Sequence, residues 1–150
     1  MIKNTETPEQ PIYHLIAIME DAKRGYLAAA EKIKDGVLAL LFERFGYQKG
    51  RYINELKQLV YHSGTNSDTD PFTLSLLHRT WRDMKATFKL GQKEKIIMAC
   101  IKGEETALHT YQLALARVQH DETKMILEQH LNGIKTVLDT IKEYTGITLR

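Results

Sequence analysis

Glu104 stands seven residues before Tyr111, in a stretch whose apolar residues recur at steps of three and four. Seven residues make two helical turns, so the carboxylate shares the inward face with the tyrosine. A carboxylate taken into a helical core has two uses. It can ligate a metal ion, or it can be satisfied by cations and hydroxyls, because an isolated buried charge is costly. The metal use has a definite pattern. Di-iron carboxylate bundles set one Glu on each of two helices and a Glu-x-x-His pair on each of the other two, all facing inward. Two metal ions need bridging carboxylates, and imidazoles complete their shells.

The chain departs from that pattern almost everywhere. Met19 lies seven before Tyr26, where the first helix should carry its Glu. The two Glu-x-x-His pairs would fall on Lys49 and Tyr52 and on Ile134 and Val137, and the sequence contains no Glu-x-x-His at all. A frame slip of one residue brings in Gln48 and Arg51, or Gly133 and Thr136, which ligate no better. An intact di-iron site is therefore not expected. Three roles stay open for Glu104. One is a structural polar cluster with Tyr26, Tyr111, Lys49 and Tyr52. The second is a relic or mononuclear site for iron or manganese, helped by His130 or Glu128. In the third, Glu104 faces solvent.

Other chemistry-bearing residues carry less. Glu105 and His109 are four apart on one helical face, the spacing of a surface contact or a metal pair. His78, Trp81 and Arg82 form a candidate partner-binding group, although Trp81 is read first as an anchor, with a large apolar body and one N–H. Cys100 sits among apolar residues as a small core side chain. No Ser–His–Asp or Cys–His arrangement and no Gly-rich phosphate loop can be read. These observations point to a protein that is not an enzyme and needs no cofactor.

The elements that must position these residues are helices. Apolar periodicity places helix A at about 9–34, with Thr7, Pro8 and Gln10 resembling a capping box, and a stop at Lys34-Asp35-Gly36 where Gly36 can turn left-handed. Helix B follows with Leu38, Leu41, Phe42, Phe45, Tyr52, Ile53, Leu56 and Leu59 and ends near His62. Asp70-Pro71 opens a short amphipathic helix carrying Phe72, Leu76, Leu77, Trp81, Met84 and Phe88, ended by Gly91. Helix C spans about 92–118. Asp121 caps helix D at about 121–145, whose apolar face includes Met125, Leu127, Leu131, Ile134, Leu138 and Ile141, and Gly146 closes it. Four long helices in two hairpins, with a connection long enough to cross the bundle, predict an all-α four-helix bundle of ferritin-like connectivity, with B and C parallel.

A shift of 85 residues lays one hairpin over the other, matching Tyr26 with Tyr111, Ala29 with Ala114, Leu41-Phe42 with Ile126-Leu127, Glu43 with Glu128 and Leu56 with Ile141. The chain of 150 residues suits one domain over 1–150, with 1–8 as a flexible N-terminus. Its 21 basic and 19 acidic residues are interspersed, which argues against nucleic acid and anionic membranes as partners. No apolar stretch approaches the roughly 20 residues of a membrane span. A single cysteine and a polar N-terminus without an apolar signal core suggest the reducing cytoplasm.

Three stretches taken together carry a family resemblance: Asp21-Ala22-Lys23-Arg24-Gly25-Tyr26 with Ala29-Ala30, Leu77 to Lys85 with its Leu-His-x-x-Trp, and Gly103 to Tyr111 with its Gly-Glu-x-x-Ala-x-x-x-Tyr. Over about residues 12–145 the chain resembles a bacterial family of ferritin-like four-helix bundles known as domain of unknown function 2383. The resemblance implies the ferritin and rubrerythrin fold, retention of Glu104 and Tyr111, loss of the Glu-x-x-His pairs, and no assigned activity. Fold analogy does not supply one. The expectation is a bundle acting through protein contacts, as a homodimer or with another protein. The alternative is a degenerate metal-binding or redox bundle centred on Glu104.

Overall fold

A computed structural model describes residues 10–61 and 92–146. They form four α-helices: α1 (Gln10–Lys32), α2 (Gly36–Tyr61), α3 (Lys93–Arg117) and α4 (Asp121–Thr145). Residues 1–8, the Thr7 and Pro8 of the capping box, and the crossover helix with His78, Trp81 and Arg82 lie outside the described residues.

Helix ends fall within two residues of the periodic pattern, but three local expectations need correction. Gly36 is not left-handed; Gly146, at φ 70°, is the positive-φ residue among those described. The turn between α1 and α2 is set by Asp35, whose carboxylate accepts the Leu38 N–H at 3.0 Å. That is an N-cap bond three residues ahead, and it makes Gly36 the first residue of α2 rather than the end of α1. At α4 the N-cap is His120, which makes no side-chain cap bond, while Asp121 and Glu122 lie in the first turn. There a negative charge is favoured by the positive end of the helix dipole. Met125 is 59% exposed instead of facing the core. At the far end, Gly146 donates to the Lys142 carbonyl at 2.8 Å and stops α4.

Helix directions follow from which residues share a core. One apolar cluster gathers residues from 12–19 of α1, 52–60 of α2, 107–118 at the end of α3, and Leu127 and Ile134 of α4. The other gathers residues from 26–33, 38–45, 96–101 and 137–141. The start of α1, the end of α2, the end of α3 and the start of α4 are therefore at one end of the bundle. Helix α1 packs beside α2 and α3, and α4 beside α3 and α2. Neighbours are all antiparallel, and the diagonal pairs, α1 with α4 and α2 with α3, are parallel. The link from α2 to α3 must pass from one end to the other, which is the single long crossover of such bundles.

The 85-residue repeat is visible in the packing. Tyr26 and Tyr111, Ala29 and Ala114, Phe42 and Leu127, and Leu56 and Ile141 are each buried on both sides, while Glu43 and Glu128 are both exposed. Tyr26 meets Phe45 edge-on at 5.5 Å between centroids, and Tyr111 meets His130, the residue 85 after Phe45, edge-on at 5.6 Å. The two hairpins thus place equivalent aromatic contacts in equivalent halves of the core.

Candidate polar site at the bundle centre

Lys49, Glu104 and His130 are the buried charged or polar side chains among the described residues. Each breaks the repeat. Glu104 is matched by Met19, Lys49 by Ile134, and His130 by Phe45. The polar site is what distinguishes one half of this pseudo-symmetric core from the other.

Position on the helices explains how they meet. On α2, Lys49 lies between the stretches that feed the two apolar clusters, and on α3 Glu104 does the same. They occupy a layer between two dry regions, on diagonal helices. Lys49 Nζ lies 2.5 Å from Glu104 Oε1, with both side chains fully buried. Tyr26 of α1 donates its hydroxyl to the other carboxylate oxygen, Glu104 Oε2. Lys49 also donates to Gln48 Oε1 at 2.7 Å. The ammonium sits 5.6 Å from the Tyr26 ring centre and 5.7 Å from that of Tyr52, so two aromatic rings share its charge.

A second network lies beside it. Tyr111 of α3 meets His130 Nδ1 at 2.7 Å, and His130 Nε2 meets Glu55 Oε1 of α2 at 2.7 Å. Burial is the main influence on His130 and lowers its pKa, against the opposing pull of Glu55. The neutral ring then donates from Nε2 to the Glu55 carboxylate and accepts the Tyr111 hydroxyl at Nδ1. Tyr52 stacks on the imidazole, 3.8 Å between centroids and 14° from parallel. Glu55 is 44% exposed and brings the network to the surface.

Space for Tyr52 comes from a glycine. A Cβ on Gly133 of α4 would stand 1.9 Å from the Tyr52 hydroxyl and 3.3 Å from Gln48 Nε2. Any larger residue there would drive Tyr52 off the imidazole.

Electrostatics fit a static cluster. Burial lowers the Lys49 pKa, and the Glu104 carboxylate opposes that shift. Burial, and then the Glu104 charge, raise the Tyr26 phenol well above its ordinary range, so it stays a neutral donor. Burial likewise raises the pKa of Tyr111 and of the Cys100 thiol. Among the described residues, no buried side-chain nitrogen or oxygen lacks a hydrogen-bond partner.

The candidate residues from the sequence thus fall into two groups. Glu104, Lys49 and Tyr26 form one network; Tyr111 and His130 form the other, and Tyr52 touches both. Glu128 is exposed, as are Glu105 and His109. Glu55 carries no motif of its own, although it continues the Lys49-x-x-Tyr52-x-x-Glu55 line along α2. Gly133 supplies no donor, so its residue type does not signal the room it makes for Tyr52.

The donor set does not suit the di-metal centre of carboxylate bundles. Among the described residues no three His, Cys, Asp or Glu side chains come together closely enough to hold an ion. Glu104 is already paired by an ammonium and a phenol, and both nitrogens of His130 are engaged.

Residues 9–117, from the start of α1 to the end of α3, match the family described as Domain of unknown function (DUF2383). The chain belongs to the DUF2383 family. The match is shorter than the span suggested by the sequence motifs: it includes Tyr26, Lys49, Tyr52, Glu55, Glu104 and Tyr111, while His130 and Gly133 lie beyond it. Comparison with curated proteins and with solved structures returns no match to this DUF2383 chain. None of its described helices is long and apolar enough to cross a membrane.

Proposed function

We propose that this DUF2383 protein is a non-enzymatic, ferritin-like bundle of the bacterial cytoplasm that acts through protein contacts. The observation that carries this reading is the Lys49–Glu104 pair. In di-metal bundles, cations held at this level by inward carboxylates do the chemistry. Here an ammonium covalently attached to α2 neutralises the carboxylate that remains. A covalent ammonium can neither exchange electrons nor polarise a substrate as a metal does. Its function is to let polar groups lie in the core without leaving charge unpaired. With the centre occupied in this way, the protein's outer faces are left to do its work.

Metal analysis of the full chain, purified without chelator, tests this reading beside a Glu104→Gln variant. Trace metal that is the same in both proteins supports it. About one equivalent of iron or manganese in the wild type, lost in the variant, would overturn it and favour a metal-binding or redox bundle centred on Glu104.

A further inference from the structure

Tyr111, His130 and Glu55 form a line from the dry core to the surface. The Tyr111 side chain is fully buried, and its hydroxyl meets His130 Nδ1 at 2.7 Å. His130 Nε2 meets Glu55 Oε1 at 2.7 Å, and Glu55 is 44% exposed. Burial keeps the imidazole neutral, so Nδ1 turns a lone pair to the phenol proton while Nε2 offers its own proton to the carboxylate. Helices α3, α4 and α2 thus align a proton donor, a relay and an outer acceptor.

A phenol gives up an electron readily only when its proton leaves too, because the radical cation is a strong acid. In a dry core that proton needs a positioned acceptor, and the charge needs a way out. We propose that Tyr111 is a redox-active tyrosine, a one-electron donor to oxyradicals at the protein surface, with His130 and Glu55 carrying its proton outward. The electron passes to the oxyradical, which becomes its anion. The Tyr111 O–H bond breaks, its proton bonds to His130 Nδ1, and the Nε2 proton passes to Glu55. Tyr111 ends as a neutral phenoxyl radical, His130 as the other neutral tautomer and Glu55 as a carboxylic acid, so no charge stays in the core. The wall of the bundle is one helix thick, about 10–12 Å with side chains, a distance that electrons cross by tunnelling.

Three other phenols show what the relay adds. A proton passed from Tyr26 to Glu104 would leave the buried Lys49 ammonium without its counter-charge. Tyr47 and Tyr144, 62% and 45% exposed, can release a proton to water, but their radicals would be open to coupling and to solutes. Tyr111 is closed to both.

Pulse radiolysis of the full chain in bicarbonate, which generates the carbonate radical, tests the proposal. The radical product is followed by its phenoxyl absorption and, after freezing, by electron paramagnetic resonance. The wild type should form a tyrosyl radical that outlasts that of free tyrosine. Tyr111→Phe should lose the long-lived signal and Tyr26→Phe should keep it, with circular dichroism confirming that each is folded. Glu55→Gln alters a half-exposed position, yet should slow formation of the long-lived radical on the order of tenfold or more, since a positioned proton acceptor is lost. The oxidant is supplied from outside, so the outcome is independent of the metal content that tests the preceding proposal. A wild type without a long-lived radical, a signal that survives Tyr111→Phe, or a rate unchanged in Glu55→Gln would each overturn the assignment.

Discussion

Lys49 and Glu104 join the diagonal helices α2 and α3 by a 2.5 Å ion pair whose two side chains are fully buried. Neither group has water to fall back on. Removing the ammonium alone should leave a buried carboxylate facing Tyr26. Lys49→Met should therefore destabilise the protein by about 3–5 kcal/mol, whereas Lys49→Met combined with Glu104→Leu should recover most of the loss. Urea unfolding of the two variants measures the difference. A single variant as stable as the wild type would show that the pair is not dry.

Gly133 and Tyr52 form a steric pair. Since a Cβ at position 133 would meet the Tyr52 hydroxyl at 1.9 Å, Gly133→Ala should cost about 1–3 kcal/mol despite the better helix propensity of alanine. Tyr52→Phe removes the clashing oxygen. Thermal melts should show that adding Tyr52→Phe to Gly133→Ala raises the midpoint. If the two changes simply add, the clash is relieved elsewhere.

Asp21 gives a pH dependence of definite sign. Burial raises its pKa from 3.8 to about 6, with Arg24 opposing. The folded protein then holds this proton more tightly than the unfolded chain. Its contribution to stability is greatest at low pH and falls as pH rises from about 4 through 6. Asp21→Asn should stabilise the protein above pH 6 and have little effect near pH 4. Chemical unfolding across that range decides it; an equal effect at both ends would assign the gain to something other than titration.

Cys100 should be chemically silent. It is buried, and burial raises its pKa, so the reactive thiolate is disfavoured. An aromatic disulfide reagent should label it slowly in the native protein and rapidly in denaturant. Fast labelling at a rate independent of denaturant would mean that the α3 face opens freely.

Much of the bundle was legible because helical burial is periodic. Leu38, Phe42 and Leu56 on α2, or Leu127, Ile134 and Ile141 on α4, recur at intervals that only one face of a helix can satisfy, and all are buried. Met125 stands two residues before Leu127, about 200° round the helix from it, so the same periodicity turns it outward, and it is 59% exposed. Helix caps were less legible. Asp35 and Asp121 are both good cap residues, but only the backbone path into each helix decides which one caps.

The sequence by itself determined the four helices, the two hairpins, the long link that carries the chain across the bundle, and the absence of the Glu-x-x-His pairs. Each is a matter of local spacing or residue type. Only the tertiary structure decided which of several inward polar residues touch. Lys49 and Tyr26 close on Glu104, while Tyr111 turns to His130 and reaches Glu55 through it. A face can be read from one helix, but a hydrogen bond between helices depends on their relative height and separation, and on the room left by a residue such as Gly133 on the facing helix.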